Sequence, residues 1–533
     1  MRLSIPILLI TLIVLALPPA TPTTAQQACG VIDSPDLLDY PLDRFEFQLI
    51  QPFGRGNQRY DGQLHAGDDW VRTGGSSLGQ PVYAIGPGRV TYSSPTGWGA
   101  DKGVVIIQHQ FADGSVYYSL YGHMEETDDI KFVQRGSCVS KGDIVGTIGD
   151  PRPAPHLHFE IRNFDPFTPG PGYASVDPRL FGWYNPHQFI DNWKGWLHPA
   201  HRWHFGFTSD QGPLLPPVLR TDGSLVTIDG FFMSIVDANG RLLYNYGLAE
   251  SVQPVGLAEL NSDLLLMGTA DGRILLWNAQ AGLMDQWVTG LERMTVGPIV
   301  FGNRIIVGDD STFMVFDSER NLLQTYHDAG ILDYAVTNQL AAILVDGRLL
   351  LIGTGGQLVQ HYEMKQGVDL VPSPDGGFIV RNQGDLVYIS PQGEWSTIRE
   401  GLSVNRSDAT LILDAYNGQI IAWGIEGPSR LIAFSLQGDI LWYTDLSQVD
   451  YYGLSNPVLI QANRCAVTLV SQRGTILGFD TQTGILTSQI SVWGDSRATV
   501  WAGLQNNLLR LQIGGQVLAL DVPTFTGYCQ GSS

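Results

Sequence analysis

Positive charge is scarce in this 533-residue sequence, which has 31 Lys and Arg against 52 Asp and Glu and a net charge of −21. Binding along a phosphate backbone needs a surplus of cations, so the composition argues against nucleic acid as a partner. Hydrophobic residues make up 44% of the chain, which is too many for a disordered protein and typical of packed globular domains. We attribute the acidity to solubility outside the cell.

Long apolar runs are also lacking, apart from one of 13 residues at positions 5–17. That run is shorter than the roughly 20 residues of a comfortable membrane span. It follows Arg2 and precedes the small residues Thr23, Thr24 and Ala25, an order typical of a cleaved secretory signal. The sequence therefore predicts a signal peptide at residues 1–25, a secreted or extracytoplasmic protein and no membrane span after cleavage. A retained N-terminal anchor is the weaker alternative.

Cysteine is rare, with four residues: Cys29, Cys138, Cys465 and Cys529. None has the spacing of zinc-ligand pairs, and an even number in an exported chain indicates disulfides. Two lie early and two lie late, which favours the pairs Cys29–Cys138 and Cys465–Cys529. The other two pairings remain open.

Amphipathic helices are not evident between residues 45 and 178. Short apolar runs alternate there with glycine-rich turns, as in residues 81–85, 88–92, 104–108 and 116–121. This pattern predicts β-strands. The 62 glycines and 30 prolines fit many tight turns, and together these features favour an all-β protein.

An aromatic segment at residues 191–209 separates this region from the rest of the chain. Tryptophan and phenylalanine interleave there with His198, His201 and His204. The even histidine spacing allows a second metal site, but a packed aromatic linker between domains is the favoured interpretation.

Beyond residue 210 the chain repeats an apolar strand, a turn rich in Asp, Asn or Gly, and another strand about every 40 residues. Clear copies stand at residues 273–282, 348–356 and 476–484. Each of eight copies has room for about four strands, which predicts a β-propeller at residues 210–527 with seven or eight blades. The last copy is short, and residues near 203–210 are candidates for its missing outer strand.

Histidine is concentrated in three motifs of the first 170 residues, namely His65-Ala-Gly-Asp-Asp69, Tyr121-Gly-His123 and Pro155-His156-Leu-His158-Phe-Glu160. Zinc prefers nitrogen, sulfur and carboxylate ligands, and a catalytic zinc site uses three protein ligands plus a water. His65, Asp69 and His158 meet that requirement. His123 and His156 are then left for acid–base catalysis or oxyanion stabilisation.

Strand geometry connects the last of these motifs. His156 and His158 are two residues apart in an apolar run, so both side chains point to one face of a strand. Glu160 falls on the same face, where we expect it to orient a ligand from outside the metal's own shell.

The order of these motifs resembles the lysostaphin/LytM-type zinc metallopeptidases. Supporting segments are Phe53-Gly-Arg55, Gly88-Arg-Val90 and residues 139–146, so the resemblance covers about residues 48–180. It implies a small antiparallel β-sheet zinc peptidase domain at residues 30–190. It also implies that His65, Asp69 and His158 bind Zn²⁺ and that His123 and His156 are the catalytic histidines. Which of the two is the base stays open.

The same resemblance implies a substrate, namely peptide bonds in the stems or cross-bridges of peptidoglycan. One departure from the family is the loop Asp150-Pro-Arg-Pro-Ala-Pro155, where a Gly- and Ser-rich loop is usual. Its three prolines stiffen one wall of the expected groove. The propeller has a quinoprotein-like or WD40-like repeat and is interpreted as a binding platform for a protein or glycan. The alternative is a non-catalytic surface scaffold that retains the peptidase fold.

Overall fold

A computed structural model describes residues 29–206, 215–229, 231–327, 329–365, 367–404, 409–447, 458–464, 466–494 and 500–527. The expected signal peptide lies outside these ranges, and so does the expected pair Cys465–Cys529. Strands dominate the described residues, which confirms the all-β prediction. None of the helices in these ranges is long and apolar enough to cross a membrane.

The N-terminal unit is built on a ten-stranded sheet with a small three-stranded sheet at its side. Its strands are β1 Phe47–Gln51, β2 Gly56–Asn57, β3 Gln63–His65, β4 Asp68–Arg72, β5 Pro81–Tyr83, β6 Gly88–Ser94, β7 Gly103–Gln110, β8 Val116–Glu125, β9 Cys138–Val139, β10 Ile144–Ile148, β11 Leu157–Arg162, β12 Tyr173–Ala174 and β13 Trp183–Tyr184. Short 3₁₀ turns lie at Pro35–Leu37, Gln58–Tyr60, Gly99–Asp101 and Pro178–Phe181.

The main path of the large sheet runs β1-β4-β11-β8-β7-β6-β9, with β5, β10 and β13 attached beside it. All recorded pairings in this sheet are antiparallel. Strands β4, β11 and β8 are adjacent, and they carry Asp69, His158 and His123 respectively. A disulfide joins Cys29 to Cys138 in β9, which confirms the first of the two expected pairs.

One helix follows the large sheet, although the sequence pattern did not predict it. Helix α1 spans Pro186–Trp196, and the Asn185 side chain caps it by accepting a hydrogen bond from the Gln188 amide. Proline at the first helical position suits the missing amide donor there. Phe189, Ile190 and Trp193 face the core of the N-terminal unit. Because His, Asn and Trp residues are mixed along α1, its apolar face cannot be recognised from the amino-acid composition.

Eight four-stranded antiparallel sheets follow in the described residues, as expected for propeller blades. The strands of the first four are β15 Val218–Leu219, β16 Leu225–Asp229, β17 Phe232–Val236, β18 Leu242–Gly247, β19 Pro254–Glu259, β20 Leu264–Thr269, β21 Arg273–Asn278, β22 Gly282–Val288, β23 Val296–Phe301, β24 Arg304–Gly308, β25 Thr312–Asp317, β26 Leu322–His327, β27 Asp333–Val336, β28 Leu340–Val345, β29 Arg348–Gly353 and β30 Leu358–Glu363.

The next three sheets comprise β31 Gly367–Pro372, β32 Phe378–Asn382, β33 Asp385–Ile389, β34 Trp395–Arg399, β35 Thr410–Asp414, β36 Gln419–Trp423, β37 Arg430–Ser435, β38 Ile440–Asp445, β39 Val458–Ala462, β40 Ala466–Ser471, β41 Thr475–Asp480 and β42 Leu486–Ser491. The eighth sheet has the order β14-β45-β44-β43 and combines β14 His201–Gly206 with β43 Val500–Gln505, β44 Leu508–Ile513 and β45 Gln516–Asp521. A short helix, α2 Val522–Thr526, ends the described chain.

The eighth sheet closes the ring by borrowing its outer strand from the start of the propeller. Strand β14 pairs with β45, so the short last repeat is completed by residues 201–206, close to the 203–210 segment expected from the sequence. Trp203 in β14 donates a hydrogen bond from Nε1 to the carbonyl of Ala238 in the first blade, at 2.9 Å. The aromatic segment at 191–209 thus contains the end of α1 and this closing strand.

The two units meet along α1. The Oδ1 atom of Asn192 accepts hydrogen bonds from the amide of Trp493 and from Nε2 of Gln516, each at 2.8 Å. A Cβ atom on Gly195 would lie 2.4 Å from the side chain of Val492, so the helix packs tightly against the propeller there.

Candidate metal centre and its cleft

The first metal-site motif forms a tight connection between two strands. His65 ends β3 and Asp68 begins β4, which leaves Ala66 and Gly67 for the turn. A Cβ atom on Gly67 would lie 2.3 Å from the carbonyl oxygen of Phe159 in β11. Only glycine allows this close approach, which brings His65 against the neighbouring strand.

The second and third predicted ligands face each other across a strand pair. Asp69 of β4 lies directly opposite His158 of β11 in the antiparallel register. Nδ1 of His158 is 3.0 Å from Oδ1 of Asp69 and 2.9 Å from Nε2 of His65. The same His65 nitrogen is 3.2 Å from Oδ1 of Asp69. The three predicted ligands are therefore brought together, and all three are buried.

This donor set fits a zinc ion. In tetrahedral coordination, ligand distances of about 2.0–2.2 Å place neighbouring ligand atoms roughly 3.3 Å apart. The three donor atoms are separated by 2.9, 3.0 and 3.2 Å and need only a small expansion to receive the ion. Two imidazoles and one carboxylate are ligand types of a catalytic zinc site.

The electrostatics of this cluster favour a cation. Burial opposes ionisation of Asp69, but hydrogen bonds from His158 and His65 outweigh it and hold the pKa of Asp69 well below its ordinary value. Burial likewise lowers the pKa of His158, yet the hydrogen bonds to Asp69 and Glu160 prevail and raise this pKa to about 9. A positive charge between these groups is thus stabilised by two carboxylates.

Glu160 supports the cluster from behind, on the strand face predicted for it. Its Oε1 atom is 2.9 Å from Nε2 of His158, the nitrogen turned away from Asp69. Its Oε2 atom accepts a hydrogen bond from Nε1 of Trp183 at 2.9 Å, and Nη1 of Arg162 lies 3.7 Å away. A carboxylate on the far nitrogen of a ligand histidine fixes its orientation and raises its basicity.

The two predicted catalytic histidines stand beside the cluster with their rings 4.6 Å apart. Nδ1 of His123 donates to the carbonyl of Asp101, and Nδ1 of His156 donates to the carbonyl of Ala154, each at 2.7 Å. Because a carbonyl can only accept, both imidazoles carry their proton on Nδ1 when neutral. Their Nε2 atoms therefore keep a lone pair for proton transfer.

His123 adopts an unusual backbone conformation, with φ at +59°. Such angles are costly for residues other than glycine and concentrate at functional sites. Burial, reinforced by the neighbouring His156 and His158, lowers the pKa of His123 to about 3. At neutral pH its ring is therefore uncharged.

A cleft of about 500 Å³ opens in front of the metal cluster and both of these histidines. Trp98 lies over it, with its ring 5.0 Å from that of His123 and 5.3 Å from that of His158. Its Nε1 atom donates to the carbonyl of Gly170 at 2.8 Å. A Cβ atom on Gly122 would lie 2.2 Å from the Trp98 ring, so the glycine of the Tyr-Gly-His motif makes room for it.

Trp98 was not found by sequence reasoning. Only the glycine beside His123 signalled that a large group approaches that strand. Tyr173, whose ring lies 5.1 Å from that of His65, was also missed. It belongs to β12, which is far from His65 in the sequence.

The other histidines of interest lie away from the cleft. His109 is buried and bonds to the Pro87 carbonyl and the Ser119 hydroxyl. His187 of α1 bonds Asp68 through Nδ1 at 2.8 Å. In β14 a register shift after His201 leaves its Nε2 atom 3.3 Å from Nδ1 of His204, and His204 stacks on Trp196. Among the described residues, only His65, Asp69 and His158 form a cluster of three or more potential ligands.

Comparison with known families locates the peptidase-like part of the chain. Residues 64–177 match the model of Peptidase family M23. All five predicted site residues fall inside this range. The M23 match supports a metallopeptidase-like, hydrolase-type domain, and such peptidases are generally zinc-dependent. No curated protein matches the chain significantly.

Solved structures similar to the chain each correspond to about three fifths of it. BamB from Moraxella catarrhalis is 16% identical, with 60% of this chain and 99% of that chain covered and a TM-score of 0.46. Sqt1 of Saccharomyces cerevisiae is 9% identical, with 61% and 99% covered and a TM-score of 0.47. The computationally designed Ika8 protein is 14% identical, with 60% and 98% covered and a TM-score of 0.47.

Proposed function

We propose that this protein is an exported zinc metalloendopeptidase of the lysostaphin/LytM type that hydrolyses peptide bonds in peptidoglycan stems or cross-bridges. His65, Asp69 and His158 would hold the zinc ion, and His123 and His156 would be the catalytic histidines. The observation that carries this proposal is the meeting of three ligand atoms at the base of a cleft beside two imidazoles whose Nε2 atoms are available.

Zinc bound by these residues would supply Lewis acidity for the scissile carbonyl and promote ionisation of a water molecule near neutral pH. The two histidines would then act as general base and general acid. An Nε2 atom of His123 or His156 takes the proton from the attacking water, because both nitrogens are unprotonated in the neutral rings. Once protonated, that nitrogen stabilises the developing oxyanion or donates to the leaving amine.

The proposed substrate class comes from the lysostaphin/LytM resemblance, which implies peptide bonds flanked by Gly or Ala. Small residues line the cleft near the histidines, namely Ala154, Gly170 and Gly172, and they leave room for a peptide backbone. Other lining residues include the aromatic side chains of Tyr60, Trp98 and Tyr173, which offer apolar surface to the rest of a peptide.

An extracytoplasmic location is part of the proposal. The sequence of residues 1–25 supports a cleaved signal, and the Cys29–Cys138 disulfide fits an oxidising compartment. The propeller would then bind a protein or glycan of the cell surface and hold the peptidase near its substrate. Repeated sheets around a ring are a common scaffold for such binding.

The proposal is tested with purified zinc-loaded protein, insoluble peptidoglycan and mass spectrometry of the released peptides. We expect chelator-sensitive release by the wild type and a loss of about 10²- to 10⁴-fold in His123→Ala and His156→Ala. Zinc content measured on the same samples should stay at one ion per chain in both variants. Full zinc occupancy without cleavage of peptidoglycan or of glycine-rich peptides would overturn the peptidase and favour a binding scaffold.

A further inference from the structure

Besides the metal ligand Asp69, three charged side chains line the described cleft, namely Arg59, Arg152 and Asp101. Together with Asp69, the lining holds two cations and two anions, whereas in the whole chain acidic residues outnumber Lys and Arg 52 to 31. The cleft is therefore less acidic than the molecule as a whole. Its two guanidinium groups are the part of this lining that can attract an anionic ligand.

The two arginines come from two separate segments of the chain. Arg59 belongs to the 3₁₀ turn Gln58–Tyr60 that follows β2, and Arg152 belongs to the proline-rich loop at residues 150–155. Nη1 of Arg59 donates to the main-chain carbonyl of Arg152 at 3.2 Å, so the two segments are in contact at this point. Arg59 also lies 6.0 Å from the ring of Tyr60, which stacks on Tyr173 beside the metal cluster.

Arg152 has a weak acidic partner. Its Nη2 atom is 3.9 Å from Oδ1 of Asp101, and the two side chains are 73% and 37% exposed. An ion pair this long and this exposed contributes little to stability. A carboxylate on a ligand can therefore replace Asp101 at small cost, while Asp101 shows that the guanidinium already reaches an anion inside the cleft.

Asp101 connects this charged end to the catalytic histidines. Its main-chain carbonyl accepts the hydrogen bond from Nδ1 of His123, while its carboxylate faces Arg152. A carboxylate held by Arg152 would thus replace the side chain of a residue that contacts His123 through its main chain.

We propose that Arg59 and Arg152 form a carboxylate-binding subsite at one end of the cleft, which selects peptides bearing a carboxylate close to the scissile bond. This inference rests on the proposed peptidase function and adds a substrate class to it. Guanidinium groups present several donors in a plane and bind carboxylates through paired, charge-assisted hydrogen bonds. The carboxylate comes from an acidic side chain or from the C-terminus of the peptide, and the test separates these sources.

The test uses zinc-loaded protein and glycine–alanine pentapeptides in matched pairs. In one set Glu or Gln stands in turn at each position, and in the other the C-terminus is a free acid or an amide. For at least one pair we expect kcat/KM to be about tenfold higher for the carboxylate peptide, the usual size of a charge-assisted hydrogen bond. Whether the Glu set or the C-terminal set shows the preference identifies the source.

The double variant Arg59→Gln/Arg152→Gln should reduce this preference to less than about twofold. Lys131→Gln is the matched control, because it removes an exposed cation outside the cleft and should keep the wild-type preference. If the wild type turned over both members of every pair equally, the proposed carboxylate-binding subsite would be wrong, whereas the proposed peptidase activity would be unaffected.

If no peptide is turned over, the result counts against the proposed function. The carboxylate-binding subsite is then tested by measuring peptide affinity. Calorimetric titration of the same pairs into zinc-loaded His156→Ala protein should show tighter binding of the carboxylate member. Equal affinity of both members overturns the subsite independently of catalysis.

Discussion

Glu160 and His158 are joined by a 2.9 Å contact between Oε1 and Nε2, on the side of the imidazole opposite Asp69 and His65. His158 is therefore held from both ring nitrogens, and Glu160 is itself held by Trp183. His65 differs, because its Nδ1 atom is buried without a hydrogen-bond partner among the described residues. Of the two histidines of the cluster, His158 is therefore the one with a carboxylate on its far ring nitrogen.

Replacement of Glu160 by Gln should weaken zinc binding by about 10- to 100-fold, because the negative charge that orients His158 and raises its basicity is lost. Competition with a chromogenic chelator measures the affinity. Glu125→Gln is the control, since that carboxylate is exposed and pairs with Lys102 at 3.2 Å. Unchanged zinc affinity in Glu160→Gln would show that this contact does not support the metal site.

Gly122→Ala should displace Trp98, because the added Cβ would lie 2.2 Å from its ring. We expect kcat/KM to fall by roughly 10- to 100-fold while zinc content is retained, since misplacement of a cleft wall by about 1 Å disturbs substrate positioning. Gly75→Ala is the control, because its added Cβ would have only an ordinary contact at 3.8 Å. Normal kinetics in Gly122→Ala would mean that the position of Trp98 is unimportant.

Much of the site followed from sequence, and the failures have physical causes. Alternation in the apolar run at residues 156–160 predicted a shared face for His158 and Glu160 of β11 and for His156 just before it, because side-chain direction in a strand depends only on parity. Trp98 and Arg59 reach the cleft from separate loops, and nothing in a single sequence specifies such long-range contacts. The +59° φ of His123 likewise arises from its surroundings, since the residue type itself disfavours it.

The propeller shows the same division between local and long-range information. A period of about 40 residues revealed the repeated sheets and the short last copy. The number of blades required the closing strand β14, whose pairing with β45 joins residues more than 300 positions apart. Helix α1 was missed because its apolar residues are interspersed with polar ones that meet the propeller, such as Asn192.

Trp203 should be important for ring closure. Trp203→Ala removes a buried indole that packs between the first and eighth sheets and bonds to Ala238. Loss of a large buried aromatic side chain typically costs about 3–5 kcal/mol, so we expect a clearly lower melting temperature for the propeller transition in calorimetry. Tyr416→Ala, which truncates an aromatic side chain that is 67% exposed, should leave the transition near that of the wild type. Equal melting of both variants would contradict this role.

The stability of the N-terminal unit should decrease with acidity because of His109. Burial lowers the pKa of His109 in the folded protein from 6.5 to about 4. Between these two pH values His109 is therefore mostly protonated in the unfolded chain and mostly neutral in the folded protein. The contribution of neutral His109 is full above about pH 6.5 and is lost progressively as the pH falls towards 4. Between pH 7.5 and 5 the loss amounts to about 2 kcal/mol.

His109→Asn keeps a donor for the Pro87 carbonyl but does not titrate in this range. Denaturant unfolding at the two pH values should therefore show a pH-dependent loss smaller than that of the wild type by about 2 kcal/mol. His361→Asn, at an exposed position of β30, should keep the wild-type pH dependence. An unchanged slope in His109→Asn would assign the acid sensitivity to other groups.

The central claim is that His65, Asp69 and His158 hold a zinc ion needed for peptide-bond cleavage. The most direct measurement is zinc titration of chelator-treated protein while peptide release from peptidoglycan is followed by mass spectrometry. The account predicts that cleavage rises with added zinc up to one equivalent per chain, and that His158→Ala recovers neither stoichiometric zinc nor cleavage. Cleavage that persists without zinc, or zinc-saturated wild-type protein that releases no peptide, would contradict it.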